Sequence, residues 1–179
     1  MKLFKTVPVF IIFSWFLFSC TTEKEKDQEL PQHIQLIEAA RDLDFSNGQT
    51  VYVPAYSQIN SIYSDAEESR INLAVTLSIR NTDIDKPIII KSVSYYSDNG
   101  TLLKEYVETP FELAKMASTS FNIGGADTKG GIGANFIVVW DANQPVVEPY
   151  IQAIMLGAKG THGFSWRNPG YVIKEGGSD

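Results

Sequence analysis

Between Ile71 and Asp83 the chain reads I-N-L-A-V-T-L-S-I-R-N-T-D. Ile71, Leu73, Val75, Leu77 and Ile79 fall on every second position, with Asn72, Ala74, Thr76, Ser78 and Arg80 between them. A period of two puts the apolar set on one face of a strand and the polar set on the other, whereas a helix would scatter both around its axis. One strand cannot bury such a face alone, so the segment predicts a second layer of strands packed over it.

The flanking sequence supplies that layer. Asn47-Gly48 marks a turn into Thr50–Val53, a β-branched and aromatic strand that Pro54 places at a sheet edge or at a bend between two sheets. Residues 81–87, N-T-D-I-D-K-P, read as a turn. Ile88–Tyr96 reads as a strand whose alternation breaks at Lys91, which predicts a bulge. Ser97-Asp98-Asn99-Gly100 predicts a hairpin with a type I′ turn, returning through Leu102–Val107. Phe111 with Leu113, and Thr119, Phe121 and Ile123, mark further strands. Gly124–Gly133 holds five glycines in ten residues and runs into Ala134–Trp140, apolar on both faces and therefore central. Tyr150–Leu156 is a second doubly apolar run, followed by the short segments Phe164–Trp166 and Tyr171–Ile173. Eight or nine short strands with almost no helix predict an all-β fold over residues 48–175. An immunoglobulin-like antiparallel β-sandwich fits best, with a jelly roll or small β-barrel as the alternative. Residues 176–179 read as a disordered tail.

At 179 residues the chain has room for one such domain and a leader. Residues 1–19 have the parts of a signal peptide: Lys2 and Lys5, then an apolar run from Val7 to Phe18 that is too short to span a bilayer core of about 30 Å. The tetrad Leu17-Phe18-Ser19-Cys20 resembles the lipobox of bacterial lipoproteins, with Phe18 larger than the residue usual there. Cys20 is the one cysteine of the chain, so it has no intramolecular disulfide partner, and acylation accounts for its place at the end of the apolar run. Residues 20–47 then form a polar tether, in which Ile34, Leu36, Ile37, Ala39, Ala40 and Leu43 fit a short amphipathic helix over Leu30–Leu43. Thr21 in place of Asp, and the Glu/Lys/Asp cluster after it, favour the outer membrane and leave the leaflet open. Loss of Lys2 and Lys5 with the leader moves the formal net charge from −6 to −8, an acidic balance that argues against a nucleic-acid partner.

Three separated segments carry a family resemblance. T-V-Y-V-P-A-Y-S at Thr50–Ser57, L-A-V-T-L-S-I-R-N-T-D at Leu73–Asp83 and G-G-I-G-A-N-F-I-V-V-W at Gly130–Trp140 together resemble a bacterial envelope lipoprotein family known only as a domain of unknown function. The resemblance covers about Gly48–Ile173. It implies an exported, lipid-anchored domain and brings no catalytic residue with it.

Candidate chemistry is sparse. The glycine-rich loop lacks the G-K-[ST] ending of a phosphate-binding loop. It reads as a hairpin loop with positive-φ glycines, or as a backbone nest for an anion or sugar with Asp127 and Asn135 as side-chain contacts. Asp83 with Asp85, and Asp98 with Asn99, offer oxygens of the calcium-binding kind, but these residue types also make turns unaided, so no metal and no cofactor is expected. Arg80 lies on the polar side of the long strand, placed to clamp a carboxylate or phosphate or to pair with Asp83. Tyr96 is the best exposed aromatic candidate, and Trp140 is expected to be buried. No nucleophile, base or metal motif appears. These features predict a non-enzymatic binding or structural module held at the membrane by its lipid, with another envelope protein or a glycan as partner. The alternatives are a carbohydrate-binding module using the glycine-rich loop and exposed aromatics, and a carboxylate-dependent hydrolase.

Overall fold

A computed structural model describes residues 34–36, 47–64 and 66–176. The leader, Cys20 and most of the tether lie outside the described residues. Among the described residues twelve strands form two antiparallel sheets: β1 (Ile34–Leu36), β2 (Gln49–Pro54), β3 (Gln58–Ile59), β4 (Ile71–Arg80), β5 (Ile88–Tyr96), β6 (Leu102–Glu105), β7 (Phe111–Leu113), β8 (Ser118–Ile123), β9 (Asn135–Asp141), β10 (Tyr150–Lys159), β11 (His162–Pro169) and β12 (Tyr171–Glu175). The first sheet runs β1-β7-β5-β9-β2-β12, with β6 also on β5. In the second, β11-β10-β4 continues to β3 and β8, which share the other edge of β4. The two sheets do not close on each other, so the molecule is a β-sandwich and not a barrel.

The alternation of β4 is realised: Leu73, Val75, Leu77 and Ile79 are buried against the first sheet, together with Ile151, Ala153 and Met155 of β10. Val51 and Val53, Ile88, Ile90, Val93 and Tyr95, and Phe136, Val138 and Trp140 face them from the first sheet. The register of β5 against β9 shifts between Ile90 and Ser92, so Lys91 is the extra residue of a bulge. That shift keeps both Ile90 and Val93 on the core face although they are three positions apart.

Four expectations are narrowed or revised. First, of the two places Pro54 allows, the sheet edge is excluded, because β9 and β12 flank β2, and the bend between sheets is the one found. β12 pairs only as far as Tyr52, so the absent Pro54 N–H removes no bond on that side, and the chain then bends across to β3 in the other sheet. Second, the described part of the expected helix, Ile34–Leu36, is a strand on β7. It satisfies an otherwise open edge while Ile34 packs on the core. Third, the 97–100 turn is not type I′, which needs positive φ at two positions; Gly100 alone has it, at +80°. The Gly100 N–H donates to the Ser97 carbonyl and the Ser97 N–H to the Thr101 carbonyl, the arrangement of a type I turn followed by a left-handed glycine. Fourth, Gly176 belongs to the domain rather than the tail, since its N–H donates to the Gly48 carbonyl at 2.7 Å.

Candidate functional site

The residues singled out from the sequence separate to different parts of the sandwich. Asp83 does not pair with Arg80. Its Oδ1 accepts the backbone N–H groups of Asp85 and Lys86, both at 2.9 Å, and its Oδ2 that of Val147 at 3.0 Å. These bonds hold its carboxyl below the ordinary range, the Val147 and Asp85 amides most, with the Lys86 charge adding to the effect. Both oxygens are taken up in joining the 81–87 turn to the 142–149 loop. Asn81, 2% exposed, works alongside it: its Nδ2 donates to the carbonyls of Lys86, Leu113 and Ala114.

At the opposite end the glycine-rich loop is packed rather than open. The Gly131 carbonyl accepts from the Ser57 and Gln58 amides and from the Ser57 hydroxyl, and the Gly130 carbonyl accepts from the Asp98 amide. A Cβ on Gly130 would stand 1.9 Å from Tyr95 Oη, and one on Gly131 2.1 Å from Asp98 Oδ2. Of the five glycines in the loop only Gly131 has positive φ, so close approach, more than turn conformation, requires glycine here. Burial pushes the Tyr95 phenol up to about 12, with the Ser57 hydroxyl opposing and Asp127 and Tyr106 reinforcing the rise. Asp127 is exposed and caps Lys129 N–H. Asn135 and Tyr96 sit opposite each other on the outer face of the first sheet. Among the described residues no hydrogen bond joins Asp127 to either of them. Trp140 is buried, and Trp166 packs inward between Tyr56 and Phe164.

Arg80 stands elsewhere, on the outer face of the second sheet. Register and alternation place Asn72, Ala74, Thr76, Ser78 and Arg80 of β4 on that face. Ser118, Ser120 and Asn122 of β8, Tyr150, Gln152, Ile154, Leu156 and Ala158 of β10, and Gly163, Ser165, Arg167 and Pro169 of β11 lie beside them. This face has no Asp or Glu, although the chain has 21 acids against 15 lysines and arginines. Its two charges are Arg80 and Arg167, and neither forms an ion pair with a described residue. Arg167 Nη1 donates to Tyr150 Oη and to Gln152 Oε1, and Arg80 Nε donates to Ser78 Oγ at 3.4 Å. Ser78 is directly across from Gln152, so Arg80 bonds a neighbour of the glutamine that Arg167 bonds directly. Arg167 and Gln152 were not singled out from the sequence. The acid-free alternate positions of β4 and β10 were the available signal, and the pairing of β10 with β11 was needed to add Arg167.

Hollows also mark the described surface. An apolar groove of about 560 Å³ follows the seam between the sheets, lined by Leu36, Tyr106, Val107, Phe111 and Phe121 among others. A polar cleft of about 200 Å³ lies by Gly48, where Gln49 Nε2 donates to Glu148 Oε1 at 2.9 Å and Glu175 Oε1 at 3.5 Å.

The fold and surface define an all-β sandwich domain whose β4, β10 and β11 present an acid-free outer face. Residues 48–173 match the family described as protein of unknown function (DUF3124), and the chain belongs to that family. Among curated proteins none matches. A crystal structure of Thermotoga maritima 1070 is similar at 16% identity, with a TM-score of 0.42, over 72% of this chain and 96% of that one.

Proposed function

We propose that the protein is a lipid-anchored cell-envelope module that binds a partner and performs no chemistry, with the outer face of β4, β10 and β11 as its contact surface. Cys20 at the end of an apolar run and the polar stretch after it support the anchor. The observation that carries the binding role is the uncharged-to-positive face on an otherwise acidic protein, since segregated charge orients and selects partners. Two or three acyl chains, at about 0.8 kcal/mol per buried CH₂, hold a domain firmly at a bilayer. Cys20→Ala is expected to move the protein out of the membrane fraction of the native cell, and retention of that variant would refute the anchor. Crosslinking from Leu156, 59% exposed on the same face, is expected to capture an envelope component. A screen that captured nothing there, while the purified protein turned over an envelope substrate, would overturn the binding role.

One observation favours the hydrolase reading: Glu148 and Glu175 share the Gln49 amide in a cleft. Both carboxylates are exposed, however, and burial is what raises one carboxyl of such a pair into an acid. The sugar-platform reading loses Tyr95 and Trp140 to the core and finds Tyr96 and Trp166 half-buried, while the exposed tyrosines Tyr63, Tyr150 and Tyr171 belong to other parts of the surface.

A further inference from the structure

We infer that Arg80 and Arg167, braced by Ser78, Tyr150 and Gln152, form a binding site for a tetrahedral oxyanion, a phosphate or sulfate group, on the outer face of the second sheet. The inference rests on reading this domain as a binding module and specifies what its face takes.

Geometry comes first. Gln152 is 6% exposed although it points to the outer face, because Tyr150 and Arg167 lie over it. Its Oε1 accepts from Tyr150 Oη at 3.1 Å and from Arg167 Nη1 at 3.4 Å, and its Nε2 has no partner among the described residues. Nε2 is not one of the fully buried unpaired atoms, so this donor opens to solvent at the surface of the face, where an incoming acceptor can reach it. On β4, Arg80 spends its Nε on Ser78, which leaves both Nη groups free, and Arg167 keeps Nε and Nη2 free. The site thus presents two guanidinium forks and an amide N–H₂, all donors. A planar carboxylate saturates one fork, whereas a tetrahedral group with three or four oxygens can meet both forks and the amide together. The nearest acids in sequence are turned elsewhere: Glu148 accepts from Gln49 of the first sheet, and Asp83 is held by backbone amides.

The test uses the full-length chain in an uncharged detergent at low salt, with the arginine side-chain resonances as readout. Inorganic phosphate is the first probe. Micelles doped with phosphatidylglycerol, against phosphatidylcholine, are the second. Saturable shifts of both arginines with phosphate would identify the phosphate group itself as sufficient. Shifts with phosphatidylglycerol alone would place the source in a lipid headgroup, and both outcomes support the site. Arg80→Gln and Arg167→Gln are each expected to weaken binding about tenfold or more, the usual effect of losing a charged hydrogen bond. Arg80→Lys should recover only part, and Asn72→Ala, at the far end of β4, should bind as the parent does. Binding must also fall as salt rises above about 0.1 M. No shift with either probe, or unchanged affinity in both Arg→Gln variants, overturns the inference. Cys20→Ala fractionation reads the anchor separately, so failure of one does not imitate failure of the other.

Discussion

The substitution Gly130→Ala probes how tightly the glycine loop is fitted over the core. The added Cβ would meet Tyr95 Oη at 1.9 Å and, at 2.8 Å, both Tyr95 Cζ and Ala134 Cβ. Ordinary contact is about 3.5 Å, so the hydroxyl must retreat by about 1.5 Å. It has little room to do so: Tyr95 is 2% exposed, and its ring lies 5.1 Å from that of Phe136 in the same layer. Overpacking of this kind costs about 1–3 kcal/mol. Gly130 does not have positive φ, so backbone strain adds nothing and the clash is the whole effect. Tyr95 Oη is also buried and makes no hydrogen bond of good geometry, although the Ser57 hydroxyl, which donates to the Gly131 carbonyl, lies beside it. Tyr95→Phe removes that group and should be neutral or stabilising by up to about 1 kcal/mol. In the Tyr95→Phe background the 1.9 Å contact vanishes while those at 2.8 Å remain, so Gly130→Ala should cost less by about 1 kcal/mol or more. Urea denaturation of the four proteins, followed by tryptophan fluorescence, closes the cycle. Additivity within about 0.3 kcal/mol would refute the packing argument.

Other positions make separable predictions. Asn81→Ala strips three carbonyls of their shared donor and should lower stability by about 2–3 kcal/mol, read by the same denaturation. Asp83→Asn places an amide donor against a backbone N–H and should destabilise the 81–87 turn at neutral pH, seen as faster amide exchange at Val147. Because the folded carboxyl titrates below its ordinary value, Asp83 stabilises fully above about pH 3.8 and loses that contribution as pH falls through the lower folded value. The gap in stability between parent and Asp83→Asn should therefore narrow across that acid window, and a constant gap would contradict it. Gly100→Ala, with φ of +80° and open space around it, should cost about 1 kcal/mol, and Gly131→Ala, with φ of +71° and a clash, distinctly more in paired melts.

Much of the sandwich was legible because burial imposes a period that needs no partner to detect. β4 shows one buried face, β9 is the central strand between β5 and β2 with its outer face half-buried, and the interrupted alternation at Lys91 marks the bulge. Each is a local consequence of how strands point side chains. The turn at Asn99-Gly100 was legible in place but not in type, because the φ of Asn99 is set by the hairpin's register and not by the dipeptide. Three described residues of the tether became strand for a non-local reason: the open edge of β7 outweighs a marginal helical stripe.

The same division explains why the site read less well than the fold. Asp83, Asp98 and the glycines look like ligand chemistry in a linear text, since binding loops use those residue types. In the folded chain Asp83 joins two turns, and Gly130 lets Tyr95 approach while Gly131 and Gly133 let Asp98 approach. Arg80 and Asp83, three positions apart, were natural partners on paper, yet a strand end separates them: one faces solvent and the other turns inward toward backbone donors. What remains for recognition is a face that no single segment encodes. It appears only when β4, β10 and β11 are laid side by side in register, so that Arg80 and Arg167, 87 positions apart in the chain, come to one face, bonded to the facing pair Ser78 and Gln152. A surface assembled in this way is sensitive to register. A one-residue slip of β11 on β10 would turn Arg167 toward the core and leave Arg80 alone, abolishing the site without altering the composition of any strand.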